Sequence, residues 1–321
     1  MSVTAVELDF ETKVERTIGL GEIRGAMTAG RFVWLDVDFA SSTDARADVG
    51  ALGLCNQAIL DDALTREPAT QMARYDDYLH LVLTGCRLVG EKFALERVDA
   101  VIGERFLLTL HRGQPVFLDG VKRSYRQDFK AFARSPSFLV YELWDHLIEN
   151  YLEVQKRFEE KVEKIQAALI GEVDDTVFAQ VSEVGGDLLQ LRKVVLPARS
   201  VLSELSSRKS LFISEATQPF LANMVGTLER VLQDLLVDRD IVSDSLNLHM
   251  SIVSHRTNAV MKRLAAWSIM FLPLTFICGV YGMNFEILPE TKWAHGYLFF
   301  WGLVATIAGF LYYLLKRIKL L

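Results

Sequence analysis

Residues 264–285 read LAAWSIMFLPLTFICGVYGMNF and contain no charged side chain. A second uncharged stretch, 296–315, follows after a short polar loop. At about 1.5 Å of rise per residue, each stretch is long enough to cross a hydrocarbon core of about 30 Å as a helix. The sequence therefore predicts two membrane spans close to its C-terminal end, with polar-patterned residues before them.

Basic residues flank the two predicted spans. Lys262 and Arg263 stand just before the first span, and the tail 316–321 begins with Lys316 and Arg317. The loop between the spans holds two glutamates and one lysine, so it is slightly acidic. Because cytoplasmic flanks of membrane spans are enriched in Lys and Arg, we expect both ends of the chain in the cytoplasm and the loop outside. This orientation fits a multi-pass protein of the inner cell membrane.

The composition of the remaining chain limits the possible functions. The formal net charge is −6 although the tail is basic, and such an acidic soluble part is unsuited to nucleic acid. Residues 1–22 lack the apolar segment of a signal peptide, so we expect this part to stay in the cytosol. Cys55, Cys86 and Cys278 lie far apart, which argues against a zinc site built from cysteines. No P-loop or HExxH motif occurs, so we expect neither nucleotide binding nor an enzyme.

The first 135 residues are predicted to form a cytoplasmic α/β domain with one sheet and helices packed on it. Short runs rich in aromatic and β-branched residues predict strands at Arg31–Val37, Tyr75–Leu83, Leu95–Ile102 and Arg105–His111. Helical apolar spacing predicts helices at Ser42–Leu54, with Ser42 or Thr43 as the N-cap, at Asn56–Leu64 and at Pro115–Ala133.

Residues 136–216 are predicted to form a helical hairpin. Apolar residues recur at helical intervals over Ser137–Gly171, and a second helix is expected from Asp175 to Arg208 with a kink at Pro197. The predicted tip, 172–175, is acidic.

A stalk helix is predicted over 217–263, followed by the first span (264–283), an external loop (284–296), the second span (297–315) and the tail. One continuous helix from Gln218 to Met283 would be on the order of 100 Å long. A helix of that length needs parallel neighbours, so we expect an oligomer.

One face of this helix combines polar and apolar positions spaced by three or four residues. Its members are Asn258, Met261, Leu264, Ser268, Leu272, Thr275, Gly279 and Gly282. In an oligomer this stripe can line a pore, with polar rings for a hydrated cation and apolar rings as a gate. It can also be ordinary helix–helix packing, with Ser and Thr hydroxyls bonded to the backbone, and periodicity alone favours that alternative.

A resemblance to a known family favours the pore-lining interpretation of this stripe over ordinary helix packing. It is carried by Thr257-Asn258-x-Val-Met261, by Pro273-Leu-Thr275, by Tyr281-Gly282-Met283-Asn284, and by Leu288-Pro289-Glu290 with Trp293. Together these residues resemble the signature of the CorA family of divalent-cation transporters, in which Gly-Met-Asn ends the first of two C-terminal spans. The resemblance covers roughly 137–321, whereas the N-terminal domain agrees in class only.

The resemblance implies an α+β membrane protein that assembles as a homopentamer, with a cytoplasmic funnel and a pore lined by the first span. Asn284 would then form a ring of five amide oxygens at the outer mouth, positioned by Gly282 and Met283. Asn258 would form an inner polar ring, and Met261 and Leu264 an apolar gate. The implied function is passive influx of Mg²⁺, with Co²⁺ and Ni²⁺ as further candidates.

Two alternatives stay open. The first is a Zn²⁺ transporter of the related zinc branch, because ion choice is hard to read from sequence. The second is a membrane-anchored helical scaffold or sensor without transport, in which replacing Asn284 would leave function intact.

Regulation by cytosolic Mg²⁺ is a further implication of the resemblance, since family members are thought to close when Mg²⁺ bridges acidic residues between subunits. No motif identifies those residues here. The candidates on the stalk are Asp234, Asp238, Asp240 and Asp244. The acidic residues of the predicted hairpin alternate with Lys and Arg, which favours a solvated face over a cation-concentrating surface. They are Glu149, Glu153, Glu159, Glu160, Glu163, Glu172, Asp174 and Asp175.

Overall fold

The structure, a computed structural model, describes residues 3–40, 45–65, 68–90, 92–171, 175–284 and 292–318. The chain divides into two compact units, residues 1–243 and 244–321. The first contains a sheet with helices on both of its faces, and the second is helical.

A seven-stranded sheet organises the first unit, in the strand order β2-β1-β3-β7-β6-β5-β4. Strands β3 and β7 are parallel, and all other neighbours are antiparallel. The strands are β1 (Val3–Asp9), β2 (Val14–Ile18), β3 (Phe32–Asp38), β4 (Gln71–Arg74), β5 (Tyr78–Val89), β6 (Lys92–Gly103) and β7 (Phe106–His111).

The four predicted strands are confirmed as β3, β5, β6 and β7, with shifted ends in β5 and β6. Strand β6 starts at Lys92 rather than Leu95. Strand β5 starts at Tyr78 rather than Tyr75, and it continues to Val89 because it pairs along its whole length with β6. The sequence missed β1, β2 and β4. Strands β2 and β4 are short and lie at the two edges of the sheet, and in β2 only Ile18 is buried, so neither shows an alternating pattern.

Three short helices cover one face of the sheet: α1 (Ile23–Thr28), α2 (Ala45–Leu52) and α3 (Gln57–Thr65). They bury an apolar cluster that includes Val49 and Leu60 against Val33, Leu35 and Leu108 of β3 and β7. Helix α2 ends at Leu52, two residues before the predicted end, and its predicted start with the proposed N-cap residues Ser42 and Thr43 lies outside the described residues.

The opposite face is covered by α4 (Val116–Phe132) and the first half of α5 (Ser137–Ile170). The side-chain amide of Asn150 on α5 makes two hydrogen bonds to the backbone of Cys86 on β5. It accepts from the Cys86 N–H at 2.8 Å and donates to the Cys86 carbonyl at 2.9 Å. Next to it, a Cβ at Gly85 would lie 2.6 Å from the Phe117 ring, so only glycine lets α4 approach this closely.

Helices α5 and α6 (Asp175–Ser207) pack against each other as the predicted hairpin. The structure ends α5 at Ile170, with Gly171 as C-cap. Helix α6 runs through Pro197, and a kink there stays a prediction. Helix α7 (Gln218–Tyr281) is continuous over 64 residues, as the lack of proline between Pro219 and Pro273 predicts.

The second unit contains the lower part of α7 and α8 (Gly296–Arg317). Both helices are long and apolar enough to cross a membrane, and only 6% of each apolar window is buried. A soluble core helix of that composition would be mostly buried. The exposure therefore favours membrane spans over core helices.

Candidate functional site: the span hairpin and an acidic cleft

The two spans of the second unit, which together make up the span hairpin, come close at the end of α7 and the beginning of α8. The ring of Tyr281, the last residue of α7, meets the ring of Phe300 edge-on at a centroid distance of 5.1 Å. Phe300 lies in the second turn of α8, so the end of α7 lies beside the beginning of α8. The loop residues 285–291, which include Leu288, Pro289 and Glu290, lie outside the described residues.

The tetrapeptide that ends α7 has a tight backbone. The N–H of Gly282 donates to the carbonyls of Cys278 at 3.0 Å and Gly279 at 3.2 Å, and the N–H of Met283 donates to the Val280 carbonyl at 3.3 Å. A Cβ at residue 282 would lie 3.2 Å from the Cys278 oxygen, so a larger residue there would require this oxygen to shift by a few tenths of an ångström. Asn284 follows directly and is exposed.

The predicted stripe on α7 is exposed at every position from Asn258 to Gly279. Its large apolar members, Met261, Leu264 and Leu272, are 59%, 60% and 72% exposed. Other faces of the span are exposed too, for example at Trp267 and Phe276. Lipid or further subunits must therefore cover this helix on all of these faces.

Two hydroxyls on the stripe are hydrogen-bonded to their own helix. Ser268 Oγ donates to the Leu264 carbonyl at 3.0 Å, and Thr275 Oγ1 donates to the Phe271 carbonyl at 2.9 Å. This is the backbone bonding that the packing alternative predicts. It also has a consequence for a pore, because a hydroxyl whose hydrogen is engaged presents only acceptor lone pairs to its surroundings. The waters of a hydrated cation are donors that match such acceptors.

A sequence model of the family described as CorA-like Mg²⁺ transporter protein matches residues 29–317. The match spans most of the α/β unit, the whole helical part and both spans. The chain belongs to this family. The CorA family is a family of transporters.

Individual relatives agree with the family assignment. The cobalt/magnesium transport protein CorA of Thermotoga maritima is 26% identical over 289 residues, which cover 89% of this chain and 82% of that protein. The zinc transport protein ZntB of Photorhabdus laumondii is 30% identical, but only over 135 residues, or 41% of this chain and 40% of that protein. The sequence similarity to this zinc transport protein therefore covers a smaller part of the molecule.

The CorA fold extends over the complete chain. A solved structure of the CorA magnesium transporter from Methanocaldococcus jannaschii superimposes with a TM-score of 0.86 and covers 99% of this chain and 98% of its own. The sequence identity is 17%, so this likeness shows the fold.

The four aspartates that the sequence singles out in this CorA chain have different surroundings. Asp240 is exposed and pairs with Arg239 at 2.8 Å, and Asp244 is exposed and belongs to the second unit. Asp234 is half-buried and Asp238 is buried, and both line a cleft between α5 and α7. The structure therefore brings together two of the four residues.

Sequence reasoning did not predict which acidic residues lie in the same cleft as these two aspartates. Glu159 and Glu163 of α5 line the same cleft, which has a volume of about 400 Å³. Burial raises the pKa of Asp238 to about 6, and the negative charges of Glu159 and Asp234 add to this shift. The spacing of Glu159 and Glu163 shows only that they share a helix face. Their position opposite Asp238 depends on the packing of two segments about 75 residues apart.

A second charged network in the α/β unit is fully paired at its centre. The Asp36 carboxylate accepts from Thr109 Oγ1 at 2.6 Å and lies 2.5 Å from Lys122 Nζ and 3.2 Å from His111 Nε2. Burial would raise the pKa of Asp36, but His111 and Lys122 outweigh it and lower the pKa. The network connects β3, β7 and α4.

Proposed function

We propose that this chain is the subunit of a homopentameric channel that lets Mg²⁺ enter the cytosol passively, with Co²⁺ and Ni²⁺ as further cargo. The observation that carries this proposal is the exposed Asn284, which follows the tight turn of Gly282 and Met283 at the end of the first span of a CorA-family chain. Five copies of Asn284 around one axis would form a ring of amide oxygens, and the Gly-Met-Asn triplet would be its signature.

The chemistry of such a ring suits a strongly hydrated ion. Mg²⁺ holds its waters in near-ideal octahedral geometry and loses them reluctantly. Neutral amide oxygens accept hydrogen bonds from those waters and so bind the ion without dehydrating it. A ring of carboxylates would bind the ion more tightly and slow its release, and conduction needs release as well as entry.

Below the ring, the stripe of α7 would line the path of the ion. Thr275 and Ser268 would offer oxygen acceptors to the ion's waters, and Asn258 an inner amide ring. Leu272, Leu264 and Met261 would form apolar rings, which are able to close a narrow pore by losing its water.

The orientation and the driving force follow from charge. Lys262 and Arg263 at the start of the first span and Lys316 and Arg317 at the end of the second would lie on the cytoplasmic side, with Asn284 outside. An inside-negative potential of 100 mV then favours entry of a divalent ion by about 4.6 kcal/mol, from about 2.3 per charge. Transport therefore needs no ATP.

Ion flux into liposomes that contain the purified protein tests this function. Mg²⁺, Co²⁺, Ni²⁺ and Zn²⁺ are compared at a clamped potential without ATP, for the wild type, for Asn284→Ala and for the control Gln190→Ala, which removes an exposed amide from α6. We expect Mg²⁺ influx in the wild type and the control, and a loss of at least about tenfold in Asn284→Ala without loss of assembly.

Other outcomes select the alternatives. Flux of Zn²⁺ alone would establish the zinc transporter. An assembled wild type without flux of any ion would support the scaffold or sensor, and flux that depends on ATP at a clamped potential would contradict passive transport.

A further inference from the structure

A cavity of about 540 Å³ lies between the sheet and α4 in the first unit. Its sheet wall includes Asp38 at the end of β3 and His111 at the end of β7, and α4 forms the opposite wall. Because β3 and β7 are parallel, their carboxyl ends meet at this edge, which is where open α/β sheets bind ligands. At about 30 Å³ per water, the cavity has the volume of about 18 water molecules, which is enough for a small metabolite.

His111 brings to this wall a buried polar atom that the fold leaves without a partner. The residue is 4% exposed, and its Nε2 atom lies 3.2 Å from Asp36 and 3.3 Å from Lys122 Nζ. The other ring nitrogen, Nδ1, is buried and has no hydrogen-bond partner among the described residues. Buried polar atoms of native proteins nearly always have a partner in the protein, in water or in a ligand. A molecule in the cavity would supply that partner.

The α4 wall is basic, with Lys122, Arg123 and Arg126 along it. Lys122 is already paired with Asp36. The two arginines use only Nε for hydrogen bonds to the described residues, Arg123 to the Asp119 carbonyl at 3.1 Å and Arg126 to the Tyr125 hydroxyl at 3.2 Å. Their Nη nitrogens therefore keep their donors for another acceptor. The planar fork of a guanidinium matches the oxygens of a phosphate in two parallel hydrogen bonds.

The cavity also contains carboxylates, which suit a different part of a ligand. Asp38 accepts from the N–H groups of Gly113 and Ala40, both at 2.9 Å. Asp119 lies in the first turn of α4, where the helix dipole favours a negative charge. Carboxylate oxygens accept more than one hydrogen bond, and hydroxyl groups are neutral donors for them. A ligand that suits the whole lining therefore combines an oxyanion with hydroxyls.

Two aromatic residues narrow the class of phosphate compound. Trp34 and Tyr125 line the cavity, but they are only 3% and 4% exposed, and their rings pack edge-on against each other at a centroid distance of 4.9 Å. Nucleobases commonly stack on the open face of an aromatic ring. Rings buried this far provide no such platform, so the cavity suits a phosphorylated sugar or polyol better than a nucleotide.

We propose that this cavity binds a small phosphate monoester that carries hydroxyl groups, of the sugar phosphate class. Arg123 and Arg126 hold the phosphate, and Asp38 and Asp119 accept hydrogen bonds from the hydroxyls. His111 Nδ1 makes a further hydrogen bond to the ligand. The bound compound joins α4 to the sheet and stabilises the first unit. Binding needs neither transport nor a divalent cation, so the cavity is independent of the proposed channel.

Isothermal titration calorimetry and thermal unfolding of the full-length protein in detergent test the site. A phosphate-free buffer with a chelator excludes any contribution from divalent ions. The probes are glycerol phosphate, ribose phosphate and glucose phosphate. We expect at least one of these esters to bind the wild type and to raise its melting temperature with the logarithm of the ester concentration. Inorganic phosphate, free ribose and AMP should each bind at least about tenfold more weakly than that ester.

Arg123→Gln tests where the ester binds. Arg123 is exposed and forms no ion pair among the described residues, so its replacement should leave the melting temperature without ligand unchanged. Loss of a charge-assisted bond to the phosphate should weaken binding of the ester at least about tenfold. The matched control is Arg134→Gln, which removes an exposed arginine just after α4 that does not line the cavity. It should bind the ester as the wild type does.

The proposal is overturned if none of the three esters binds the wild type, or if Arg123→Gln and Arg134→Gln bind them equally well. Inorganic phosphate that binds as tightly as the esters would contradict the role of the hydroxyls, and tighter binding of AMP would identify a nucleotide site instead. Ion flux measured on the same preparations keeps the two proposals apart. A wild type that binds an ester but conducts no ion contradicts only the channel, and a conducting wild type that binds no ester contradicts only the cavity.

Discussion

The α/β unit and the span hairpin of this chain differ in how far they bury their large apolar side chains. In the first unit, Trp144, Tyr151 and Phe129 are fully buried inside the subunit. In the second, Trp267, Leu272 and Phe276 are between 51% and 72% exposed. The first unit therefore has a complete core of its own, whereas the apolar side chains of the spans are not covered by their own subunit.

The largest effect that separates the two units is expected from removing a tryptophan in each. Trp144→Ala leaves a cavity in the core of the first unit and should cost about 3–5 kcal/mol, whereas Trp267→Ala, at an exposed position of α7, should cost less than about 1 kcal/mol. Thermal unfolding of the full-length protein in detergent measures both. Equal losses would break the comparison, because they would show that assembly buries Trp267 as fully as folding buries Trp144.

A smaller effect, which depends on pH, is expected at Glu142 on α5. Burial raises its pKa to about 7 from an ordinary 4.5, and the charges of Asp128, Asp145 and Glu149 add to the shift, while His146 lies 3.9 Å away. The folded protein therefore holds this proton more firmly than the unfolded chain, and stability falls as the pH rises from about 4.5 to 7. Glu142→Gln, which mimics the protonated form, should be more stable than the wild type at pH 8, on the order of 2 kcal/mol, and similar to it at pH 4.

The matched control for this prediction is Glu153→Gln on the same helix. Glu153 is exposed and pairs with Arg157, so its replacement should change stability by less than about 0.5 kcal/mol at either pH. Melting temperatures measured between pH 4 and 8 provide the test. A gain at pH 8 that persists at pH 4 would mean that packing, and not the proton, distinguishes the variant.

The smallest effect on stability is expected in the spans, at Ser268→Ala and Thr275→Val. Both hydroxyls donate only to their own helix, so their loss should cost less than about 1 kcal/mol. In the proposed pore they are also acceptors for the ion's waters, so Mg²⁺ flux into liposomes should fall several-fold. Thr306→Val is the control, because Thr306 of α8 makes the same bond to Gly302 but lies outside the stripe. Equal flux in all variants would favour the packing alternative.

Periodicity was sufficient to predict the long helices. The apolar positions of α5, from Leu139 to Leu169, are buried as the helical spacing requires, and α7 is continuous where the sequence lacks proline. Strands β2 and β4 could not be predicted in this way, because edge strands bury too few side chains to produce alternation. The hydrogen bonds of Asn150 to Cys86 were not predictable either, since they depend on how α5 lies on β5.

The two candidate sites differ in the same way, because one depends on local sequence and the other on packing between distant segments. A local signature drew attention to Asn284, because the turn that presents it is built from its immediate neighbours Gly282 and Met283. The cleft had no such signal. Asp234 and Asp238 were two of four equivalent aspartates in the sequence, and only the packing of α5 against α7 separated them from Asp240 and Asp244.

The engaged hydroxyls of Ser268 and Thr275 have one more consequence for a conduit built from α7. An anion such as chloride needs hydrogen-bond donors along its route, and at these two levels the hydroxyl protons are already committed to main-chain oxygens. A lining of this kind discriminates by the sign of the permeant species without carrying any formal charge itself. Selection against anions would then be a property of the helix backbone geometry as much as of the side chains it displays.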